Sequence, residues 1–300
     1  MTGLSGVPEG VPQIRRGIGA IDWHRLTWQM RRSPLAVVGL VIIILVLIAI
    51  VVVPAWLPID PNRINLRARL AGPSWVHWFG TDEVGRDILA RVLHGGRISV
   101  GVGVFVVVVS ASLGTMIGGL SGILGGWLDT LVMRLMDVVL AVPSLVLTMA
   151  LAAALGPSLW NAMLAIALVR IPVYVRLARG QTLVIREADY VKAARVFRAT
   201  PLQILRWHVA PNILSPILVQ ATLDLGAAML MAAALSFIGL GAQPPAAEWG
   251  AMIAAGRNYI LDQWWYSAFP GGAILLTAVG FNLLGDGLRD IIDPRQKARS

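Results

Sequence analysis

The sequence predicts an all-α membrane protein whose chain crosses the bilayer six times. Three observations support this fold class. The composition is 57% hydrophobic and only 14% charged, the mean hydropathy is +0.73, and six separate apolar segments interrupt the polar sequence. A soluble protein carries about 25% charged residues, because its surface must be hydrated. The composition therefore excludes soluble enzymes, collagen-like fibres and disordered chains, and it makes the lipid bilayer the main partner of this chain.

The chain begins with a polar segment, residues 1–34, followed by the first transmembrane helix, residues 35–56. Five arginines lie in the polar segment, and the nineteen residues from Leu35 to Val53 carry no charge. Nineteen apolar residues are enough to cross a hydrocarbon core about 30 Å thick. Because no small-residue cleavage site follows, we expect a retained helix rather than a signal peptide.

A polar loop, residues 57–97, separates this helix from a helical core, residues 98–288, and a polar tail, residues 289–300, ends the chain. The core contains five further apolar segments, at residues 98–124, 131–154, 158–178, 213–240 and 267–288. Four of these segments contain a proline in their interior, at Pro143, Pro172, Pro216 and Pro270. Kinked helices free carbonyl groups that need protein or water as partners, so we expect a bundle with a lumen or cleft.

The basic residues are distributed unequally between the two sides that six spans define. Seventeen Lys and Arg lie on the side of the two termini and of the loop 179–212, whereas seven lie in the opposite loops and Arg170 lies inside a span. An excess of Lys and Arg marks cytoplasmic loops. The sequence therefore predicts cytoplasmic N- and C-termini, and it attributes the net charge of +9 to membrane topology rather than to nucleic-acid binding.

Small residues recur along the second span, where Gly114, Gly118, Gly122 and Gly126 follow one another every four residues. This spacing places them on one helix face and allows another backbone to approach closely. We expect this face to pack within the chain, with a contact to another subunit as the alternative.

Charged residues also occur inside the predicted spans, where each one is costly and needs a partner. Arg134 and Asp137 are three residues apart on one helix face, which favours a pair between them. Asp224 lies near the middle of its span, and Arg170 lies at a comparable depth. The sequence leaves two roles open for Asp224 and Arg170: an ion pair with each other, or the lining of a water-filled pathway, for which Asp137 is also a candidate.

No group of residues in the sequence suggests catalysis or a metal site. The chain has no cysteine, and its four histidines are not spaced as metal ligands. It also lacks the P-loop pattern that binds nucleotide phosphates. These features favour a transport protein without catalytic residues over an intramembrane hydrolase. An ion-coupled secondary transporter and a membrane scaffold for cytosolic proteins are the alternatives.

The loop between the fourth and fifth spans predicts two short amphipathic helices joined near residues 198–200. Thr200 followed by Pro201 is a helix-start signal, and Pro211 is expected to end or kink the second helix. Small residues at Ala193 and Ala194 suit close contact, and the arginines suit water. A compact helical unit of this kind is suited to docking in a groove of a soluble protein.

This loop resembles the EAA coupling loop of ABC-importer permeases. The resemblance rests on Tyr190-Val-Lys-Ala-Ala-Arg195 and His208-Val-Ala-Pro-Asn212, and on further blocks in the same order at residues 77–87, 236–252 and 282–294. It implies a MetI-like type I permease bundle in a bacterial cytoplasmic membrane. It also implies that the loop contacts ATPase subunits through Tyr190, Lys192, Ala193, Ala194, Arg195, Arg198, Thr200 and Pro211.

Two positions depart from the pattern of the family. Lys192 stands where the motif most often has glutamate, and Arg198 stands where it has glycine. If the turn at residue 198 is left-handed, arginine strains it by roughly 1 kcal/mol.

The resemblance further implies the partners and the cargo. The partners are a second permease subunit, two ABC ATPases that bind ATP and magnesium, and an extracytoplasmic solute-binding protein that docks on the loops 57–97 and 241–266. The chain itself is expected to bind no cofactor. A peptide is the expected solute, specifically a D,D-dipeptide, with nickel chelates and glutathione as alternatives.

Overall fold

The computed structural model describes residues 33–56 and 60–292. The predictions for the segment 1–32 and for the tail from residue 293 onward lie outside the described residues. The described part contains nine α-helices. In chain order they are α1 (Pro34–Trp56), α2 (Ile88–Leu124), α3 (Gly126–Ala141), α4 (Ser144–Leu155), α5 (Leu159–Arg186), α6 (Asp189–Val196), α7 (Pro201–Phe237), α8 (Trp249–Gly256) and α9 (Trp265–Ile292).

Helices α2 and α5 pack against each other in parallel. Gly114 on α2 contacts Tyr174 on α5, and two turns further along both helices Gly122 contacts Thr182. Two parallel helices can follow each other in the chain only if the segment between them crosses back. Helices α3 and α4 therefore form one span together, and the prediction of six crossings is confirmed.

The remaining spans alternate in direction. Gly103 on α2 contacts Met229 on α7, and Gly119 contacts Leu205, so these two helices are antiparallel. Helices α7 and α9 are antiparallel as well, as are α9 and α1, since Gly287 lies against Ala36. The first and last described helices therefore have their outer termini at the end of the bundle that carries α6. We call this end the α6 end, and the other the loop end.

The third span lies where the apolar segment 131–154 and its interior Pro143 predicted a kinked helix, but it is divided into two helices. It is broken at Val142 and Pro143, and the axes of α3 and α4 differ by 92°. Proline lacks the N–H that would continue α3, and it favours an extended conformation for the residue before it. Val142 accordingly has φ −92° and ψ 135°.

Three other helices extend beyond the apolar segments that identified them. Helix α2 begins at Ile88 instead of residue 98, α5 ends at Arg186 instead of residue 178, and α7 begins at Pro201 instead of residue 213. Hydropathy identifies only the part of a helix that lies in hydrocarbon, so it does not detect polar turns at either end of the helix. The Asp87 side chain caps α2 by accepting a hydrogen bond of 2.9 Å from the Ala90 N–H.

The glycine face of α2 packs within the chain, as expected. A methyl group on Gly118 would lie 2.2 Å from the Val175 carbonyl oxygen, so only glycine permits this approach. Gly126 does not share the face. It follows Gly125, whose φ of +64° ends α2, and nothing lies within 4 Å of the position where its Cβ would be.

Helix α1 contains a π turn, Ile48–Val52, whose carbonyls are contacted by an arginine. Arg97, which the sequence assigned to the polar loop, lies in α2 and donates hydrogen bonds of 2.7 Å and 2.9 Å to the carbonyls of Ile50 and Val51. A π turn leaves carbonyls without regular helical partners. The arginine satisfies them and fixes α1 against α2.

Candidate functional site

Residues 189–212, which we call the helical knob, form a compact unit at the α6 end. It comprises α6, a four-residue turn and the first turns of α7. The knob is anchored by apolar side chains that are at most 2% exposed and that pack beside Tyr174 and Ala178 of α5. These anchors are Val191, Ile204 and Val209. These buried contacts hold the knob against the bundle.

The turn of the knob is left-handed at Arg198, where φ is +59°. The Arg198 N–H donates to the Arg195 carbonyl at 2.9 Å, and the Ala199 N–H donates to the Ala194 carbonyl at 3.0 Å. These two bonds form a Schellman motif, in which glycine is the usual residue at the left-handed position. The left-handed conformation therefore explains why the family has glycine at this position, and Arg198 adopts the same turn under strain.

The second half of the knob begins as the sequence predicts. The Thr200 side chain accepts a hydrogen bond from the Gln203 N–H, and the Gln203 side chain accepts one from the Thr200 N–H, forming a capping box. Pro211 does not end this helix. A π turn at Leu205–Val209 ends two residues before it, and α7 continues without a break to Phe237.

The outer surface of the knob is apolar at its centre and basic around it. Val196 is 81% exposed and Phe197 is 85% exposed. Lys192, Arg195 and Arg198 are exposed beside them. The two alanines are not equivalent, because Ala193 is exposed and Ala194 is half-buried. An exposed aromatic residue within a basic rim is typical of a protein-docking surface.

Polar contacts fix the end of α5 that leads into the knob to α2 and α3. Arg179 on α5 donates two hydrogen bonds, of 2.9 Å and 2.6 Å, to the carboxylate of Asp129 on α3. Ser121 donates to the same carboxylate at 2.5 Å, and Arg186 donates to the Gly122 carbonyl at 2.9 Å. Sequence reasoning missed Asp129. An acidic residue in the first turn of this helix was the available signal.

Deeper in the bundle, Arg170 and Asp224 form an ion pair, which is one of the two roles that the sequence left open. Gln220 also donates to Asp224 at 3.0 Å. Asp224 is 3% exposed, so in this conformation it contacts protein rather than a pathway. The second carboxylate oxygen of Asp224 and the hydroxyl of Tyr174 lack hydrogen-bond partners among the described residues.

The predicted pair of Arg134 with Asp137 is wrong. Asp137 instead accepts a hydrogen bond of 2.5 Å from Arg176 on α5, one turn before Arg179. Helix α3 thus faces α5 with two carboxylates, and α5 supplies a guanidinium to each. The side chains of Asp137 and Arg176 are 54% and 50% exposed, in contrast to the buried Arg170–Asp224 pair.

At the loop end, residues 77–87 form a structured turn. Asp82 is buried and accepts hydrogen bonds from its own loop, including one of 2.5 Å from Arg86. Arg91, only 4% exposed, binds four oxygen atoms from two distant loops. These are the carbonyls of Pro61, Pro245 and Ala246 and the side chain of Asn62. The loop end is therefore a fixed surface.

Apolar residues are exposed on this surface. Trp75 is 95% exposed, Val76 is 81% exposed and Leu261 is 94% exposed. Helix α8 supports the same end, because the buried Glu248 caps it by accepting hydrogen bonds of 2.9 Å from the N–H groups of Gly250 and Ala251.

Comparison with known proteins identifies the family. Residues 114–298 match the model for a binding-protein-dependent transport system inner membrane component, and residues 22–73 match the N-terminal transmembrane domain of oligopeptide transport permease C. The chain is 60% identical over 271 residues to the probable D,D-dipeptide transport system permease protein DdpC of Escherichia coli (strain K12), covering 90% of this chain and 91% of that protein.

Two further relatives are slightly more distant. The dipeptide transport system permease protein DppC of Alkalihalophilus pseudofirmus is 44% identical over 97% of this chain and 96% of its own length. A putative peptide transport system permease protein of Brucella suis biovar 1 is 44% identical over 96% of this chain and 95% of its own length. The resemblance stated from the motifs is confirmed, and the six-crossing bundle is the type I permease fold. The chain belongs to the family of binding-protein-dependent transport system inner membrane components.

Proposed function

We propose that this permease couples ATP hydrolysis by separate cytoplasmic ATPase subunits to peptide import, with the helical knob as the contact. The observation that carries the proposal is the outer surface of the knob. Val196 and Phe197 are exposed on an element whose inner side is buried in the bundle. Such a surface suits insertion into a groove, and the basic rim suits an acidic groove edge.

The geometry supports rigid transmission from the knob into the membrane. Helix α7 is continuous over 37 residues from Pro201 to Phe237, which is about 55 Å at 1.5 Å per residue. A displacement of the knob therefore moves the membrane part of α7 with it. The Arg170–Asp224 pair joins α7 to α5, so the two helices are expected to move together when the bundle changes between inward-open and outward-open forms.

The other components of the importer complex follow from this role. The α6 end and both chain termini face the cytoplasm, in agreement with the seventeen basic residues on that side. Two ATPase subunits bind ATP and magnesium, and this chain binds no cofactor. A second permease completes the pathway as a heterodimer. A solute-binding protein docks at the loop end, where Trp75, Val76 and Leu261 are exposed.

The solute is a peptide, and a D,D-dipeptide is the specific proposal. Support comes from the names of the relatives, one of which is a probable D,D-dipeptide permease at 60% identity. Two others carry dipeptide or peptide in their names at 44% identity.

The test is co-purification and coupled ATPase activity. The permease is solubilised from its native membrane, and ATPase activity and dipeptide uptake are measured for wild type, for Phe197→Asp and for Arg195→Glu. We expect ATPase subunits to co-purify with wild type and to be lost or uncoupled in both variants. Arg289→Glu is the matched control, because it reverses an exposed arginine that lies at the α6 end but outside the knob, and it should leave coupling unchanged.

Two outcomes would contradict the proposal. If no ATPase co-purified and uptake followed an ion gradient, the chain would act as a secondary transporter. If Arg289→Glu uncoupled the complex as strongly as Arg195→Glu, the loss of coupling would be an effect of net charge and not of the knob. Competition of labelled D,D-dipeptide uptake by L,L-dipeptide, by nickel chelate and by glutathione then defines the solute.

A further inference from the structure

The break between α3 and α4 lies at the depth of the hydrocarbon core. Helix α3 has 16 residues and α4 has 12, which correspond to lengths of about 24 Å and 18 Å. With 92° between their axes, the two ends of the span are about 30 Å apart, close to the thickness of the hydrocarbon core. Measured along the line that joins the two ends of the span, the break then lies about 19 Å from the end of α3 at the α6 end and about 11 Å from the end of α4 at the loop end.

The break exposes backbone that lipid cannot accommodate. All six residues from Ala141 to Val146 are exposed, and none of the sixteen residues of α3, all of which the structure describes, is buried. At a helix terminus about four N–H or C=O groups lack intrahelical partners, and neither Val142 nor Pro143 supplies a side-chain cap. Each such group costs several kcal/mol in hydrocarbon, so irregular backbone occurs there only inside protein or along water.

An ion pair lies on the same face. Asp137 precedes Ala141 by four residues, which places the two on one side of α3. The pair of Asp137 with Arg176 is half-exposed, and Arg134 is exposed one turn earlier. Charged groups at this depth face a protein partner or a water-filled cavity. By contrast, the exposed residues Val104 and Val108 of α2 form part of a surface that suits lipid, because Arg97 at its edge is the one charged residue in its lining and the others are apolar or glycine.

We propose that the broken third span and the Asp137–Arg176 pair form the wall that this subunit contributes to the water-filled pathway, and that this pair contacts a zwitterionic solute. The inference rests on the proposed import function and assigns its pathway residues. A dipeptide carries an ammonium group and a carboxylate. Asp137 offers an acceptor for the first, and the guanidinium of Arg176 offers a bidentate donor for the second.

The contrast with the buried pair supports this assignment. Asp137 is exposed over more than half of its side chain, whereas only 4% of the Asp224 side chain is exposed. A solute can exchange with the partners of an exposed ion pair at small cost, because water already competes for both groups. Opening the Arg170–Asp224 pair would leave a buried charge without a partner. Arg170 and Asp224 therefore hold α5 to α7, and the pair nearer the break meets the solute.

Cysteine accessibility tests the proposal directly, because the chain contains no cysteine of its own. Ser144→Cys and Val142→Cys place a thiol at the break, and Val108→Cys places one on the apolar surface of α2 at a similar exposure. Each variant is examined in native membranes with all partner subunits present. A charged methanethiosulfonate reagent reacts only with a hydrated thiolate. We expect the two thiols at the break to react at least about tenfold faster than the control.

A second measurement separates the solute contact from a structural role. Saturating transported dipeptide should slow the labelling of Ser144→Cys, and Asp137→Asn or Arg176→Gln in the same background should abolish that protection. Both substitutions should also raise the dipeptide concentration needed for half-maximal uptake. If uptake by Ser144→Cys were normal and the thiol did not react, the second permease would cover the break and the inference would be wrong, while the import function would stand. Protection that survives both charge substitutions would refute the solute contact.

Discussion

Substituting Gly118 by alanine should force α2 and α5 apart. The added methyl group would lie 2.2 Å from the Val175 carbonyl oxygen, 1.2 Å inside the 3.4 Å at which ordinary contact begins. Its other nearest neighbours, at 2.9 Å and 3.0 Å, are also backbone atoms of Val175, so no side-chain rotation relieves the overlap. Overpacking of this kind costs about 1–3 kcal/mol. Alanine returns about 1 kcal/mol through its helix propensity, and we expect a net destabilisation of up to about 2 kcal/mol.

Gly101→Ala is the matched control, because it lies in the same helix and nothing lies within 4 Å of the added atom. It should stabilise α2 by about 1 kcal/mol, and because both variants gain this helix propensity, they should differ by the overpacking cost of about 1–3 kcal/mol. The assay is thermal unfolding of the purified protein in detergent, followed by tryptophan fluorescence. A difference of this size corresponds to roughly 2–12 °C in Tm for a chain of this length. If Gly118→Ala unfolded at the same temperature as Gly101→Ala, the close parallel packing of α2 on α5 would be refuted.

Three further predictions concern the knob, the buried pair and the loop end. Arg198→Gly removes the strain of roughly 1 kcal/mol that the left-handed conformation causes, so amide hydrogen exchange in residues 189–200 should slow about fivefold. An unchanged exchange rate would show that the turn is unstrained. Asp224→Leu should lower the free energy of unfolding by about 3–5 kcal/mol in thermal unfolding, because it leaves Arg170 buried without its partner. The double variant with Arg170→Leu should recover most of this loss. Additive losses would mean that the two residues do not act as a pair. Arg91→Met removes the bonds that hold the loop 60–87, so limited proteolysis should cut this loop about tenfold faster, and an unchanged rate would assign the rigidity to Asp82 instead.

The sequence was sufficient for features that depend on local chemistry. Apolar stretches of adequate length identified the spans, and Thr200-Pro201 identified a helix start that the structure forms with a capping box. The family glycine at residue 198 implied a left-handed turn, and Arg198 adopts it. In each case the physical cause lies within a few residues of the feature.

Features that depend on the relative placement of helices could not be predicted. Pro143 indicated an interruption in the third span, but a proline alone does not fix an angle of 92°. Asp137 had a nearer arginine in sequence at Arg134, yet Arg176 reaches it from another helix. Arg91 binds loops about 30 and 150 residues away. The arrangement of α2, α3 and α5 decides these contacts, and no short-range pattern encodes it.

The parallel packing of α2 and α5 also constrains how the protein is made. Gly118 meets Val175, which is synthesised 57 residues later, and the broken third span must first be placed across the bilayer. At a synthesis rate of about 5–20 residues per second, roughly 3–11 s pass between the synthesis of the glycine face of α2 and that of the α5 residues that pack on it. During that interval lipid or an insertion factor must occupy a surface shaped for a backbone. Substitutions that delay insertion of the third span would therefore reduce the yield of folded permease even where the final structure tolerates them.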